Sequence, residues 1–366
     1  MLNILVPLSG GNTFKVTSEN NYPKILTAID GKLLIERAVK PFLDLEMECK
    51  ITVALPQPEA DKYQLHNVLR LLGEQVSTCT INGNTQGSVC SALLATEELD
   101  LDSPLVITSF EQVLNIDLNK YIETFISSDV DAGVLTFEAV HPKWSYVKTD
   151  INNFVTQAAE KKPISNKAIA GFYYFKSVNL FIESAKSMIR KDVKTNNSFY
   201  ISPTLNEVIL NEGRVKAIDI NKSCYFHVID EHELNNYEQS VLDSSNQQKN
   251  RILKKTQEYI SAFDSKDIDA VADFFERESV LIDPAGEFSG KQVIYDYVKG
   301  IFDVTQSMAF RARNIYVTSD SESVIEFELI IDGTKLVGTD VIEWSSTLLI
   351  QQMRAYLYED KNYGQI

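Results

Sequence analysis

With 366 residues, 44% of them hydrophobic and 23% charged, the chain has the make-up of a globular protein too long for one ordinary core. Its net charge of −16 is shared along the length, since from Asn250 onward it carries 12 Lys and Arg against 20 Asp and Glu. Duplex nucleic acid and anionic membrane surfaces are disfavoured as partners, because neutralising phosphates takes clustered cations.

In chain order, "NILVPL" is a short apolar run that reads as a first strand and is followed by Ser9-Gly10-Gly11. Glycines in that place let backbone N–H groups approach a phosphate. "CKITVALP", "PLVITSF" and "AGVLTFEAV" read as further strands buried on both faces. Between them "KLLIERAVKPFLDL", "ADKYQLHNVLRLLGE", "GSVCSALLATEEL" and "DLNKYIETFISS" have helical spacing. The alternation predicts an α/β domain over residues 1–239 with a Rossmann-like, mainly parallel sheet. Ligands of such sheets sit beyond the carboxyl ends of the strands.

Residues 240–250, "SVLDSSNQQKN", are polar and patternless and are taken as a linker or the start of the next helix. Residues 251–366 change texture. Helical patterns come first, then "SVLIDPAGEFSG", a third helix, and a run of strands with an Asp-Gly turn. That order predicts an α+β cone with an apolar pocket under the sheet.

Cys49, Cys79, Cys90 and Cys224 lack CxxC spacing or a paired His, so reduced thiols in a cytoplasmic protein are expected. A basic leader and an apolar run of ~20 residues are both missing from the pattern, so neither a signal peptide nor a membrane span is expected. The four His are not spaced for zinc or iron.

"PLSGGNTF", Pro23-Lys24 and Gly31-Lys32-Leu33-Leu34-Ile35-Glu36 resemble the opening of the sugar-nucleotide pyrophosphorylases, nucleotidyltransferases of capsule-biosynthesis type with a GT-A, Rossmann-like fold. The resemblance continues through "NTQGSVCSALLA", "HPKWSYVKTD", "AIAGFYYFK" and "NNSFYISPTLNEVI". It implies nucleotide contacts at Leu8, Ser9, Gly10, Gly11, Lys15, Gln86 and Gly87, and catalytic cations at Lys24 and at Lys161 or Lys162. It also implies acceptor contacts at Glu160, Gly171, Asn206 and Glu207. Mg²⁺ would be held by Glu111 with Asp219 or Asp230. The implied reaction moves a nucleoside monophosphate from a nucleoside triphosphate to a sugar phosphate or other small phosphorylated acceptor, for surface-polysaccharide synthesis, and releases pyrophosphate.

Three positions depart from that family. Phe14 stands where the loop arginine is usual, Glu111 replaces an aspartate, and no Gly-Thr follows the second metal carboxylate. These departures point to the alternative of a catalytically degenerate binding or scaffold protein.

The last part, "TQEYISAFDSKDIDAVADFFERESVLIDPAGEFSGKQVIYDYV" with "GTDVIEW", resembles SnoaL-like proteins of the nuclear transport factor 2-like superfamily. That resemblance implies a pocket at Tyr259, Asp283, Asp340 and Trp344, and a homodimer formed through the open face of the sheet. An isomerase or cyclase centred on the first three residues is the further reading.

Overall fold

The structure, a computed structural model, describes residues 1–8, 13, 14, 16 and 22–359. The expected loop residues Ser9, Gly10, Gly11 and Lys15 therefore lie outside the described residues. The chain divides into two compact units, Met1–Gln239 and Ser240–Ile366.

The first unit is built on a sheet of nine strands among the described residues. Strands β1 (Leu2–Pro7), β2 (Cys49–Pro56), β3 (Val76–Ile81) and β4 (Leu105–Ile107) are its parallel half, in the order β4-β1-β2-β3. β1 and β2 are buried almost throughout, which is why they read as unbroken apolar runs. A short strand β5 (Gln112–Leu114) follows β4 after a four-residue turn. β6 (Ala132–Glu138), β7 (Tyr146–Thr149), β8 (Val155–Ala159) and β9 (Lys167–Phe175) complete the mixed half. β9 lies antiparallel to β4, β6 and β7. β10 (Val215–Asp219) runs parallel to β6 at the far side, and β11 (Tyr225–His227) pairs with β5 outside the main sheet.

Helices α1 (Leu34–Leu43), α2 (Ser88–Ala95), α3 (Leu118–Ser127), α4 (Val178–Arg190) and α5 (Thr204–Leu210) connect these strands. Local capping sets several of their starts: the Leu33 N–H donates to Glu36 at 2.6 Å, and Ser177 accepts from the Leu180 N–H at 3.2 Å. Apolar stripes on α1 and α3 bury Phe42 and Phe125, whose rings stack against Phe172 of β9. Each such ring contributes about 2–3 kcal/mol of burial.

Residues 240–250, expected as a linker or the start of the next helix, are helical and lie within α6 (Glu231–Asp264). The stretch holds no Gly or Pro to stop a helix, and it is anchored by side chains: Ser245 donates to Asp320 Oδ1 at 2.9 Å and Gln248 to the Asp320 carbonyl at 3.3 Å. Polarity alone made it look like a tether.

In the second unit α7 (Ile268–Asp273) follows, then β12 (Phe275–Asp283), β13 (Gly286–Ser289) and α8 (Lys291–Val304). β14 (Met308–Ser319), β15 (Glu322–Ile331), β16 (Thr334–Trp344) and β17 (Ile350–Glu359) form the meander. The sheet order is β13-β12-β17-β16-β15-β14, antiparallel except where β12 runs parallel to β17. β15 alternates buried and half-buried residues, the mark of a sheet with one face on a core. That core gathers Tyr259, Phe275, Phe302, Phe310, Phe327 and Trp344.

Among the described residues, no helix is long and apolar enough to cross a membrane.

Candidate functional site

A cleft of about 410 Å³ opens in the first unit past the carboxyl end of β4, where Thr108, Ser109 and Glu111 turn away from the sheet. Thr108 is tied to β1 by its N–H on the Leu5 carbonyl (3.0 Å), so the turn is fixed to the sheet. Glu111 receives its backbone support from Ser109, whose hydroxyl accepts the Glu111 N–H at 3.1 Å. Thr13 donates to Glu111 Oε1 at 2.9 Å, so the carboxylate faces the segment after β1.

Two glycines shape the walls. Gly87 has φ +112°, and a Cβ there would meet the Phe199 carbonyl oxygen at 2.4 Å. The Phe199 N–H donates to the Gln86 carbonyl (2.8 Å) and the Val89 N–H to the Phe199 carbonyl (3.2 Å). Gly171 has φ +57°, and a Cβ there would lie 1.9 Å from Gln112 Oε1. Gln112 crosses under it, donating to the Gly171 carbonyl at 2.9 Å and accepting from the Tyr225 hydroxyl at 3.2 Å.

The opposite wall carries Glu160. Ser145 and Ser202 both donate to its Oε2, the latter at 2.7 Å. Tyr173 stands beside it; burial, then the Glu160 carboxylate, pushes its phenol up, so it stays a neutral hydroxyl. Lys161, held at φ +53°, donates to the Tyr200 hydroxyl at 2.8 Å and lies over that ring, whereas Lys162 is exposed. The sequence left the choice between these two lysines open; the geometry turns Lys161 toward the cleft wall. The described lining of the cleft contains the carboxylates Glu111 and Glu160, many hydroxyls, and no Lys, Arg or His.

Several expected contacts fall elsewhere. Leu8 is a core residue whose N–H is used by the Ala54 carbonyl at 2.9 Å. The Gln86 side chain is exposed and off the cleft wall. Asn206 clasps the Ala158 backbone, accepting its N–H at 2.8 Å and donating to its carbonyl at 2.9 Å. Glu207 is buried against Ser187 (2.7 Å) and Lys191 (2.6 Å). Those two side chains join α5 to β8 and α4 instead of lining the cleft. Lys24 is a separate case: it opens a short 3₁₀ turn, Lys24–Leu26, after the segment that follows β1, is itself buried, and remains the cation to test.

Of the two carboxylates expected beside Glu111, Asp219 stands apart. Asp219 ends β10, three strand positions from β4 in the sheet, or about 14 Å at ordinary strand spacing. Its carboxylate accepts from Thr136 at 2.6 Å and pairs with Lys167. Burial pushes the Asp219 carboxyl up, but those two donors outweigh it and hold it below its ordinary range. Asp230 accepts the Glu233 N–H at 2.8 Å and caps α6. Among the described residues, no three His, Cys, Asp or Glu gather as a metal site. Asp219, satisfied by Thr136 and Lys167, does not fit as the second carboxylate of a Mg²⁺ site with Glu111.

Ser145, Tyr173, Tyr200 and Ser202 were missed by sequence reasoning, although they lie inside the segments that drew attention. Their signal was position within those segments, and charge was given more weight than hydroxyls.

The second unit has its own cavity, of about 480 Å³. Tyr259, Asp283 and Asp340 all line it. Trp344 does not: its indole N–H donates to Ser323 Oγ at 2.9 Å inside the core, and Ser323 also contacts Thr256 at 2.9 Å. Asp283 Oδ1 accepts the N–H groups of Ala285 (2.7 Å) and Gly286 (3.2 Å), and the Tyr297 hydroxyl donates to Oδ2. Burial, then the charge of Asp283, pushes the Asp340 carboxyl up to about 7. Burial, then Asp340, pushes the Tyr259 phenol well above its ordinary value; its hydroxyl meets Met353 Sδ at 3.5 Å. Tyr297 was not foreseen from the sequence.

Among solved structures the chain is similar to a nucleoside-diphosphate-sugar pyrophosphorylase from Vibrio cholerae RC9, with a TM-score of 0.55 and 19% identity over 65% of this chain and 100% of that one. A UDP-glucose pyrophosphorylase solved with UDP-glucose is similar with a TM-score of 0.54 and 15% identity, over 67% of this chain and 99% of that one. A candidate glucose-1-phosphate thymidylyltransferase from Bacillus anthracis, solved with sucrose, gives a TM-score of 0.51 and 17% identity, over 65% of this chain and 93% of that one. No curated protein matches the chain in sequence. The family model for a SnoaL-like domain matches residues 256–345. The first unit thus has the fold of the sugar-nucleotide pyrophosphorylases, and the second contains a SnoaL-like domain.

Proposed function

We propose that the first unit transfers a nucleoside monophosphate from a nucleoside triphosphate to a sugar phosphate or similar small phosphorylated acceptor, in the service of surface-polysaccharide synthesis. The observation that carries this reading is the Glu160 wall. Its carboxylate is oriented by Ser145 and Ser202, beside Lys161 on Tyr200, in a cleft lined mostly by hydroxyls and backbone. A polyhydroxylated ring bearing one phosphate matches that surface: the carboxylate accepts ring hydroxyls and the lysine faces the anion.

In the reaction an acceptor phosphate oxygen attacks the α-phosphorus. A new P–O bond forms there, the bond to the α–β bridging oxygen breaks, and the electron pair leaves with pyrophosphate. Such a transfer is catalysed by positioning and charge neutralisation. Lys24 is assigned to the α-phosphate and Lys161 to the incoming phosphate. Asp219, paired with Lys167 and Thr136, is given no part in holding Mg²⁺.

The test is pyrophosphate release by the full chain from each of the four ribonucleoside triphosphates and dTTP, with and without Mg²⁺, over a panel of sugar 1-phosphates. The expected result is release with one base and one acceptor, lost on Lys24→Ala. Binding of a nucleotide or sugar phosphate without release would favour the degenerate scaffold reading.

A further inference from the structure

The cavity of the second unit is walled by the rings of Tyr259, Phe263, Phe275, Phe310 and Phe327 and by aliphatic side chains of the sheet. At about 480 Å³ it falls in the range of small-molecule sites, ~300–1,000 Å³. Its polar content has one sign. Asp283, Asp340 and Glu359 line it, and no described lining residue is Lys, Arg or His.

The two inner carboxyls are not equivalent. Asp283 is satisfied by two backbone N–H groups and the Tyr297 hydroxyl. Asp340 is 5% exposed, faces the cavity, and receives no hydrogen bond from any described residue. A buried carboxyl without a donor is costly, and what enters the cavity can supply the donor that the described residues do not.

The chemistry of that partner follows from what surrounds it. An anion is repelled by both carboxyls. A plain hydrocarbon leaves Asp340 without a donor. An ammonium group brings N–H donors and the opposite charge, and aromatic faces attract it as well. We propose that this cavity binds an apolar primary amine, with its hydrocarbon body among the Phe310 and Phe327 rings and its ammonium on Asp340. The inference is independent of the activity proposed for the first unit.

The groups facing Asp340 set its pH dependence. The titratable groups that line the cavity with it are Asp283 on β12, Tyr297 on α8, Tyr259 on α6, and Tyr358 and Glu359 on β17. The Tyr259 and Tyr297 phenols are raised by burial and stay neutral. Asp340, pushed up to about 7, is the group that changes charge across neutral pH. It accepts an ammonium best when ionised, so amine binding tightens as pH rises.

The experiment is calorimetric titration of the full chain with 4-phenylbutylamine at about pH 6 and about pH 8.5, with 4-phenylbutanol and 4-phenylbutanoate as neutral and anionic probes of similar shape. The amine is expected to bind, the alcohol at least roughly tenfold more weakly, and the acid not at all. Amine affinity should rise by up to roughly tenfold between the two pH values, as the ionised fraction of Asp340 goes from about a tenth to nearly one. Asp340→Asn should remove both the pH dependence and the preference over the alcohol. Leu336→Phe, which narrows the cavity and leaves the carboxyls in place, should weaken the amine while the fold persists. The proposal is overturned if the alcohol binds as tightly as the amine, if amine affinity falls with rising pH, or if the amine gives no binding.

Discussion

Ser202 donates its hydroxyl hydrogen to Glu160 Oε2 at 2.7 Å, fixing a carboxylate just past the end of β8 by means of a residue from the loop before α5. Ser145 reaches the same oxygen from the start of β7. If Glu160 reads acceptor hydroxyls, Ser202→Ala should raise KM for the acceptor by roughly three- to tenfold, the effect of a lost orienting bond of about 1 kcal/mol. Steady-state pyrophosphate release checks this; kcat should stay within about twofold. A fall in kcat at constant KM would move Glu160 from binding to chemistry.

Gly171 and Gly333 form a natural pair for testing close approach. Both have positive φ, but a Cβ at Gly171 would strike Gln112, whereas one at Gly333 meets nothing within 4 Å. Gly333→Ala should cost about 1 kcal/mol through backbone strain alone. Gly171→Ala should cost about 2–4 kcal/mol, because it also displaces a buried amide from its partners. Urea titrations followed at Trp144 for the first unit and at Trp344 for the second separate the two effects; equal losses would remove the packing argument.

Asp219→Asn separates a structural carboxylate from a metal ligand. With Lys167 and Thr136 as its partners, the change should leave pyrophosphate release within about twofold and alter mainly the acid side of the stability profile. Because the folded-state carboxyl is held low, its contribution is present above the ordinary Asp range and fades as pH falls through the folded value. A loss of activity beyond about a hundredfold, restored by excess Mg²⁺, would return Asp219 to the metal.

Asp340 carries the opposite sign. Its folded value of about 7 lies above that of an unfolded Asp, so the folded state gains relative to the unfolded state as pH falls from 7 toward 4 and loses it again on the way up. Asp340→Asn should therefore stabilise the second unit at pH 8, by on the order of 2–4 kcal/mol, and do little near pH 4. Thermal melting of the full chain at both pH values, read at Trp344, gives the comparison. A variant less stable than the parent at pH 8 would show that Asp340 is already paired when ionised.

Glu233 offers a second acid-side signal. Burial alone would raise its carboxyl, but His227, Lys143 and the Ile229 N–H outweigh it and hold it down at about 2. Its support of the first unit should be complete above about pH 4.5 and lost between there and pH 2. Glu233→Gln should flatten that limb of the denaturation midpoint against pH.

Strands β1, β2, β4 and β6 were legible because each is buried almost throughout and so reads as an unbroken apolar run; β3, whose middle residues are half-buried, was not. The β7–β8 hairpin was not, since Lys148, Thr156 and Gln157 leave it half polar. The helical run through 240–250 was hidden for a similar reason: what holds it is Asp320 far along the chain, not a stripe of its own. At the site, resemblance led to Glu160 and to Lys161 or Lys162, but also to Asn206 and Glu207, whose side chains join α5 to β8 and α4. One turn of helix decides which side of a segment faces the cleft, and spacing in the sequence does not report it. Tyr259, Asp283 and Asp340 come from a helix and two strands, and their convergence followed from resemblance; Tyr297, which completes the set from α8, had no motif to mark it.

Gly87 has a consequence for how the cleft tolerates change. The Phe199 backbone occupies the space where a side chain at 87 would lie, and two hydrogen bonds stitch the start of α2 to the segment that brings in Tyr200 and Ser202. The two walls are remote in sequence and are kept in register by a missing methyl group. A mutational scan of this protein should find position 87 intolerant of even alanine, while its neighbour Gln86, whose exposed side chain touches neither wall, accepts most replacements.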